Sequence, residues 1–508
     1  MFTGLALLSI CLLILLRVTY TYVTSLERSI PGPWLARFSR LWYFLHVQSG
    51  NFHHENIALH AKYGPIVRVG PHLYSINYPD NNVYGIGSKF KKNDWYEGWK
   101  HPSPDRWTLF PDQDIKRHAE TRKKFQNLYS MSSLVSYEKY VDECIDIFLQ
   151  KMASFSQSGE SIDMAHWFQC YAFDVMGDIT YSERFGFLDQ GEDIAGILVA
   201  LDNSMVYSTL AGIYAWAHPY LYAIMERIPG SGAAGRNFLM KFVQQRIAER
   251  NHARANLSTS EKQRPLDAND GTPQDFLDKL TDAHERDPQR VTPYHIFMMG
   301  LSNIIAGSDT TAVSLSSVLY NLVTHPSVLE RLRQEIKEYD AQKNSSNEFI
   351  PFKEAHKMPY LQAVIKEALR LHPATGLPLW RVIPEGGAFI AGRQLPAGAT
   401  VGINSWVAHY DSGVFGPDAG TFRPERWLEA EQEKGEQYQR MEANYLPFGL
   451  GSRTCLGRHI STLEMYKLIP ELVRKFDFEL DMATSNWKTR NYWFVKPIDF
   501  RVRVKSCL

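Results

Sequence analysis

The chain has 508 residues, of which 44% are hydrophobic, and its 55 basic and 55 acidic side chains give a formal net charge of zero. A neutral chain gives no electrostatic reason to expect a nucleic acid, a strongly acidic substrate or a polybasic membrane contact. Length alone favours about three domains. The cysteines are scattered without paired spacing, which predicts neither a disulfide framework nor a zinc site and indicates a reducing compartment; they are Cys11, Cys144, Cys170, Cys455 and Cys507.

The N-terminal region contains a candidate membrane span. Residues 4–23 are mostly apolar and reach the length of about 20 residues that a transmembrane helix needs, although Arg17 interrupts them. Basic residues follow the span from Arg28 onward and none precedes it, a pattern that places the rest of the chain in the cytoplasm. A cleaved signal peptide is the alternative, but neither its basic start nor its small-residue cleavage site is evident. We therefore predict a single-pass anchor, followed by a stiff turn at residues 31–34.

Two segments after this turn differ in their pattern. Residues 66–78 partly alternate and are rich in β-branched and aromatic side chains, which predicts a hairpin around Gly70 and Pro71. Residues 90–111 show no steady period, so we interpret them as a loop. Their rings are candidates for the lining of an apolar pocket, with simple packing as the alternative for about half of them; they are Trp95, Tyr96, Trp99, Trp107 and Phe110.

The longest predicted helix runs from Pro293 to Thr324. Thr292 supplies an N-cap before a proline at the first helical position, and His325-Pro326 ends the pattern. At 1.5 Å per residue such a helix spans about 48 Å. Residues 306–311 near its middle are Ala-Gly-Ser-Asp-Thr-Thr, in which the two small residues would let a flat cofactor or substrate approach the backbone. An acid followed by two hydroxyl residues is a poor helix-forming sequence, and such local conflicts are typical of functional sites. A carboxylate beside a hydroxyl can relay protons, whereas a small-residue helix crossing is the structural alternative.

A second helix is predicted over residues 359–371, where apolar residues recur on one face. Glu367 and Arg370 are neighbours on that helix, a spacing that usually indicates only a surface pair. Downstream, residues 422–427 (Phe-Arg-Pro-Glu-Arg-Trp) carry the further arginine Arg426.

The last motif is a cysteine loop at residues 447–457, Pro-Phe-Gly-Leu-Gly-Ser-Arg-Thr-Cys-Leu-Gly. Glycines allow the backbone to wrap a sulfur atom, and N–H groups or a nearby cation such as Arg453 favour a thiolate. A helix is predicted to start just after the loop, and its N-terminal dipole would favour the same charge. The loop therefore suits a lone thiolate ligand to a metal on a flat cofactor, and a free structural cysteine is the alternative.

The pattern Phe-Gly-x-Gly-x-Arg-x-Cys-x-Gly matches the heme-binding signature of the cytochrome P450 monooxygenases without a departure. The motif at 306–311, the Glu367–Arg370 pair and residues 422–427 resemble three further family elements in the same order. This resemblance covers nearly the whole chain. It implies a mainly α fold with a small β lobe, in one large catalytic domain over residues 31–508 behind an anchor and hinge at residues 1–30, instead of three domains.

The resemblance also implies the cofactor and its ligands. Heme b would be bound through Cys455 as the axial thiolate ligand, which favours cleavage of the O–O bond. Thr310 is expected to hydrogen-bond the oxygen that the heme activates, and Asp309 to relay protons. Glu367, Arg370 and Arg426 are expected to hold the cysteine loop in place. The remaining expected cofactor contacts are propionate partners and loop residues: Arg453, Arg381, Arg122, His118, which stands where the family commonly has tryptophan, and Phe448, Gly449 and Gly457.

The expected activity is insertion of one oxygen atom of O₂ into an apolar small molecule by a monomer in the endoplasmic reticulum membrane. Electrons would come from NADPH through a separate reductase, because the sequence has no flavin or nicotinamide motif. Lys123, Lys124 and Arg458 are candidates for the reductase-docking face. The stretches Ser308–Thr311 and Thr375–Gly387 most resemble fungal members that modify secondary metabolites.

Two other functions stay open at this stage. One is a heme-thiolate enzyme that catalyses oxidative rearrangement, ring expansion or desaturation without net oxygen insertion. The other is a heme-binding sensor without catalytic activity, against which the Asp309–Thr310 motif counts. The substrate is not predictable, because the expected pocket residues are spread over several segments.

Overall fold

The computed structural model describes residue 16 and residues 29–255, 274–343, 349–481 and 487–507. The predicted N-terminal span at 4–23 lies outside these residues, apart from Leu16. The α-helices are α1 Leu41–Gln48, α2 Phe52–Tyr63, α3 Asn81–Tyr84, α4 Ile115–Phe125, α5 Met131–Leu134, α6 Glu138–Ser158, α7 Met164–Tyr181, α8 Phe187–Gln190, α9 Ile197–Ile213, α10 His218–Met225, α11 Gly232–Ala255, α12 Phe276–Arg286, α13 Pro293–Thr324, α14 Pro326–Lys343, α15 Phe352–Ala355, α16 Pro359–Leu371, α17 Ser405–His409, α18 Ser412–Phe415, α19 Glu425–Glu433, α20 Glu436–Asn444 and α21 Arg458–Lys475. Short 3₁₀ segments are Trp34–Arg37, Asp94–Trp99, Val135–Tyr137, Ile194–Gly196, Ala215–Ala217 and Gly451–Arg453.

The strands form small sheets beside this helical body, as the sequence predicts. They are β1 Ile66–Gly70, β2 Leu73–Ile76, β3 Ser161–Asp163, β4 Arg381–Val382, β5 Ala388–Ile390, β6 Arg393–Leu395, β7 Thr400–Ile403, β8 Phe476–Leu480, β9 Lys488–Tyr492, β10 Phe494–Ile498 and β11 Arg501–Ser506. The largest described sheet has the order β1-β2-β7-β4, and only its β2–β7 pair is parallel. Its first two strands are the predicted hairpin, with Ile66 opposite Ile76. A second sheet has the order β3-β11-β8, and β9 and β10 form a separate hairpin.

The long helix α13 has the predicted bounds, because its start is set by a reciprocal cap. The Thr292 N–H donates to His295 Nδ1 at 3.1 Å, and the Thr292 side chain caps the first turn in return. The helix ends at Thr324, because Pro326 disfavours a helical conformation at His325. Helices α7, α11, α16 and α21 pack along it. This helix therefore runs through the main hydrophobic core and carries residues 306–311 into its middle.

The small residues of α13 serve helix packing as well as the site. A Cβ at Gly307 would lie 2.7 Å from Met176 Cγ of α7, so the contact between α7 and α13 needs a glycine there. Ala306, next to it, is exposed rather than packed. The expectation that both small residues admit a flat cofactor therefore applies to Ala306, whereas Gly307 is explained by its contact with α7.

One described helical stretch has the length and hydropathy of a membrane span. It is Ile194–Ile213, which includes α9, and 56% of its apolar window is buried inside the protein. Burial against other helices is typical of a core helix, so this stretch gives no support for the anchor predicted at residues 4–23.

A close backbone crossing fixes the 3₁₀ segment Asp94–Trp99 against α9. A Cβ at Gly212 would lie 2.3 Å from the carbonyl oxygen of Trp95, and a Cβ at Gly98 would lie 2.5 Å from that of Ser208. The Trp95 indole N–H also donates to the Thr209 carbonyl oxygen at 3.0 Å. Two glycines that face each other's backbone thus hold the aromatic segment in place.

We expect Gly212→Ala to lower the free energy of unfolding by about 1–3 kcal/mol, because the added methyl group must push α9 away from Trp95. Thermal unfolding of the purified protein measures this. The matched control is Gly420→Ala, where the new Cβ meets open space. Equal melting temperatures for the two variants would show that the crossing tolerates a side chain.

Candidate cofactor and proton-relay site

The cysteine loop is shaped by two glycines in the left-handed region. Gly449 has φ = +71° and Gly451 has φ = +58°, and a Cβ at Gly451 would lie only 1.9 Å from the Tyr84 carbonyl oxygen. The Cys455 N–H donates to the Phe448 carbonyl oxygen at 2.9 Å, which closes the loop. Phe448 packs against the main hydrophobic cluster and so ties the loop to the core. Helix α21 then begins at Arg458, as the sequence predicts.

Opposing effects act on the Cys455 thiol, and its pKa lies above the ordinary value because burial outweighs the groups that favour the thiolate. Burial raises the pKa of this thiol, whereas the N–H groups of Gly457 and Arg458 and the guanidinium of Arg122 lower it. The four described cysteines are all free thiols. Of these, Cys144 and Cys170 are deeply buried, and burial raises the pKa of both. Among the described cysteines, Cys455 therefore combines backbone donors, a helix N-terminus and cations around its sulfur atom.

Basic side chains from distant parts of the chain meet beside this loop. Arg453 donates to the Asp112 carbonyl oxygen at 2.7 Å, and Arg381 donates to that of Trp380 at 2.9 Å. Burial lowers the pKa of Arg453 to about 10, and the nearby charge of Arg381 contributes to this shift. Burial likewise lowers the pKa of His118 to about 3, helped by Arg453 and Lys92. His118 is therefore neutral at pH 7 in the protein alone.

Lys92 belongs to this basic cluster although the sequence analysis did not select it. Its ammonium lies 4.2 Å from the ring centres of both Tyr96 and Phe110, and it donates to the Phe110 carbonyl oxygen. Burial lowers its pKa well below the ordinary value, and so do the charges of Arg381 and Arg453. In sequence, Lys91-Lys92 resembles an ordinary surface pair, so no local signal marks Lys92.

The basic cluster (Lys92, His118, Arg122, Arg381 and Arg453) fits a group that carries carboxylates. Like charges without counter-ions are costly in a protein interior. The Asp112 carboxylate acts on both Lys92 and Arg453, but Arg117 already binds both of its oxygens, at 2.7 and 3.0 Å. The two propionates of a heme would supply the missing negative charge, and Cys455 would supply the axial ligand. The residues present thus fit heme b.

A buried ion-pair cluster forms around Glu367, as the sequence resemblance implies. Glu367 accepts from Arg370 at 2.8 and 2.9 Å, from Arg426 Nε at 2.8 Å and from the Trp427 indole N–H at 2.8 Å. Glu367 and Arg370 are fully buried. Because both carboxylate oxygens are bonded, the cluster meets the condition under which buried charge is tolerated.

His409 links this cluster to the cysteine loop, and the sequence analysis did not identify it. Its Nδ1 lies 2.8 Å from the Arg370 carbonyl oxygen, and its Nε2 accepts the Leu446 N–H at 2.8 Å. Leu446 directly precedes the loop. Burial lowers the pKa of His409 to about 3, so the ring stays neutral and can accept this bond.

The two candidate relay residues on α13 lie in different surroundings. The Thr310 hydroxyl is half-buried and donates to the Ala306 carbonyl oxygen at 2.7 Å, within its own helix. The Asp309 carboxylate is buried and contacts residues of other elements, Gln169 and Lys496. Thr311 bonds Ser461 of α21 at 3.1 Å, which joins the long helix to the helix that follows the cysteine.

Five aromatic rings form a cluster that adjoins the basic residues. Ring centres of neighbouring members lie 5.0–5.8 Å apart. The members are Trp95, Tyr96, Trp99, Phe110 and Trp493. Trp107, predicted with them, packs instead against Tyr294 and Arg117. Trp493 has φ = +84°, a strained conformation for a bulky residue, at the turn between β9 and β10.

The three residues expected to dock a reductase differ in solvent exposure and in their contacts within the protein. Lys123 and Arg458 are exposed. Lys124 is half-buried and donates to the Arg290 carbonyl oxygen at 2.5 Å. Its ammonium is therefore already engaged within the protein.

We expect Lys92→Met to release heme about tenfold faster, since a charge-assisted hydrogen bond contributes about 1.5–3 kcal/mol and about 1.4 kcal/mol corresponds to a factor of ten. Transfer of heme to an acceptor protein in excess measures the rate. Lys91→Met is the matched control, because Lys91 is exposed. Equal release rates in the two variants would remove Lys92 from the cofactor site.

Comparison with known proteins identifies the family of the chain. A family model described as cytochrome P450 matches residues 31–500. A pisatin demethylase of Fusarium vanettenii is 38% identical over 493 residues, which cover 97% of this chain and 92% of the relative. A cytochrome P450 monooxygenase of Aspergillus terreus is 37% identical over 90% of this chain and 93% of the relative. One of Emericella nidulans is 36% identical over 94% and 93%. The chain belongs to the cytochrome P450 family and is a P450 monooxygenase.

Proposed function

We propose that the protein is a membrane-anchored heme-thiolate monooxygenase that oxidises an aromatic or otherwise apolar small molecule in secondary metabolism. Its electrons come from NADPH through a separate reductase. The observation that carries the proposal is the environment of Cys455. The backbone N–H groups of Gly457 and Arg458 donate to its sulfur atom, and the basic cluster lies beside it. The names of fungal relatives, among them a pisatin demethylase, support a small organic substrate.

Each group of residues has a role in this proposal. Cys455 binds the heme iron, the basic cluster holds the propionates, and Glu367, Arg370 and Arg426 keep the cysteine loop in position. Phe448, Gly449 and Gly457 shape the loop. When bound, the heme supplies the activation of dioxygen. Thr310 and Asp309 hold and move protons on the α13 side, where burial limits the access of water.

The aromatic cluster is the proposed substrate-binding surface. Phe110 is exposed and Trp99 is half-buried, whereas Trp95, Tyr96 and Trp493 are buried. The aromatic cluster adjoins the basic cluster, because the Tyr96 hydroxyl lies 3.4 Å from Arg381 and Lys92 lies against the Tyr96 ring. Flat rings are suited to stack on such side chains. An aromatic substrate is therefore favoured over a flexible aliphatic one.

An exposed apolar surface supports membrane association in the endoplasmic reticulum. Trp34, Trp216 and Tyr220 are 66%, 76% and 72% exposed. Their two segments adjoin, since Arg40 donates to the Ile213 carbonyl oxygen at 3.1 Å. Exposed apolar patches of this kind mark interaction sites, and tryptophan and tyrosine favour the membrane interface. We propose that residues 1–30 anchor the protein and that residues 31–508 form its catalytic domain on the cytoplasmic side.

The first test is the absorption spectrum of the dithionite-reduced protein with carbon monoxide. We expect a strongly red-shifted Soret band, and its loss in Cys455→Ala, because the thiolate donates electron density to the iron. Cys507→Ala, which removes an exposed thiol elsewhere, should keep the band. A band typical of histidine-ligated heme in all three proteins would contradict the proposed ligand.

The second test concerns the proton relay. With reductase, NADPH and pisatin as the first probe, we expect Thr310→Ala to raise the hydrogen peroxide released per NADPH consumed. Asp309→Asn should lower NADPH-dependent turnover by about 10²-fold, since positioned acids and bases contribute at least this much.

Thr311→Ala is the control for this experiment, because its hydroxyl bonds Ser461 and belongs to the helix contact. An unchanged ratio of hydrogen peroxide to NADPH in Thr310→Ala would exclude Thr310 from the relay. NADPH oxidation that does not depend on reductase would contradict the proposed electron donor.

A further inference from the structure

The Asp309 carboxylate is bound by two elements that are distant in sequence. Its side chain is fully buried in α13. Gln169 of α7 donates to Oδ1, and the Lys496 ammonium of β10 lies 2.8 Å from Oδ2. Lys496 is the partner of Oδ2 among the described residues, and a carboxylate oxygen can accept more than one hydrogen bond. Oδ2 therefore keeps acceptor capacity while Lys496 balances its charge.

Lys496 contacts a second carboxylate at the same time. Its ammonium lies 2.5 Å from Asp202 Oδ1 of α9, and Asp202 also lies 3.8 Å from the Arg490 guanidinium of β9. Side-chain exposure rises along this series, from 0% for Asp309 to 23% for Lys496 and 40% for Asp202. A small pocket lined by Asp202, Lys496 and Arg490 lies at its outer end. One ammonium thus stands between a buried and a solvent-exposed carboxylate.

The charge of Asp309 depends on this ammonium. Burial raises the pKa of Asp309, and Lys496 opposes that shift. Burial lowers the pKa of Lys496, but Asp309 and Asp202 together raise it above the ordinary value, so the ammonium remains charged. Because an unpaired buried carboxylate takes up a proton rather than stay ionised, removal of Lys496 from Asp309 would leave Asp309 protonated.

We propose that Lys496 is a positioning residue of the proton relay, which holds Asp309 ionised against α7 and β10 and releases it when the ammonium moves to Asp202. This role rests on the relay function proposed above for Asp309. The ammonium moves with its three protons and gives none up. The proton that Asp309 then takes up comes from solvent at the Asp202 pocket, and Asp309 passes it toward Thr310.

The arrangement favours movement of the Lys496 ammonium between the two carboxylates over a fixed ion pair. A lysine has a flexible four-carbon stem and a point charge, whereas arginine would bind one carboxylate in a rigid bidentate fork. Lys496 also lies three residues after Trp493, the strained turn residue in the aromatic cluster. The same hairpin therefore carries a residue of the proposed substrate surface and the cation beside Asp309.

Infrared spectroscopy of the holoenzyme at neutral pH tests the proposal without turnover. The carboxylic acid band of Asp309 is assigned by its loss when Asp309→Asn is added to the Lys496→Met variant. We expect the band to be absent in the wild type, present in Lys496→Met and absent again in Lys496→Arg, because arginine restores the charge. Lys505→Met is the matched control, since Lys505 pairs with Glu479 in an exposed ion pair. Absence of the band in Lys496→Met would overturn the proposal.

A second measurement tests whether Lys496 moves between Asp309 and Asp202 or only balances the charge of Asp309. Asp202→Asn removes the outer partner and should keep Lys496 on Asp309. We expect its reductase-coupled NADPH oxidation, without added substrate, to fall by about tenfold and to show a larger rate difference between H₂O and D₂O. Unchanged rates in Asp202→Asn would exclude the exchange, even if Lys496→Met fails to fold.

Failure of this proposal can be told apart from failure of the proposed function. If Asp309→Asn retains full turnover, Asp309 is not in the relay, whatever the infrared band shows. If Asp309→Asn is impaired but Lys496→Met shows no protonated Asp309, the relay stands and Lys496 has no part in it.

Discussion

The balance of buried charge is the constraint on which the region around Cys455 depends. A carboxylate or a cation in a dry interior is tolerated only with partners that saturate it. Glu367 has these partners inside the protein, as Arg370, Arg426 and Trp427 bind both of its oxygens. His409 then connects Arg370 to Leu446, at the start of the cysteine loop. Hydrogen bonds thus connect the ion-pair cluster to the residue that precedes the cysteine loop.

The basic cluster shows the opposite condition. Its members come from the β4 strand, helix α4, the cysteine loop and the segment before Asp94. Each of the four charged members, Lys92, Arg122, Arg381 and Arg453, lowers the proton affinity of another member. Folding brings these positive charges together because burial of the hydrophobic core stabilises the fold by more than their mutual repulsion destabilises it. Such a site is arranged for an anionic partner. Cofactor binding and stability of the fold are therefore coupled here, since a bound propionate relieves repulsion that the protein alone retains.

Local motifs could be predicted from sequence, and contacts between distant segments could not. The bounds of α13 follow from Thr292, Pro293 and the proline after His325, which act over a few residues. The start of α21 after Cys455 follows from the glycine loop in the same way. By contrast, Lys92 and His409 carry no local signal, because their importance arises from partners far away in the sequence. Gly307 shows a related limit. Glycine is needed there because α7 packs against it, and the sequence alone does not reveal that contact.

Two buried carboxylates on neighbouring helices show what the Lys496 contact adds. Glu464 of α21 is completely buried, and neither of its oxygens has a hydrogen-bond partner among the described residues. Burial raises its pKa well above the ordinary value, so it stays neutral. Asp309 is equally buried but lies beside an ammonium that reaches it from β10. A carboxyl group that served only to fill space could remain neutral, as Glu464 does. The fold instead places a cation beside Asp309, and a neighbouring cation makes the charged form accessible to a buried carboxyl group.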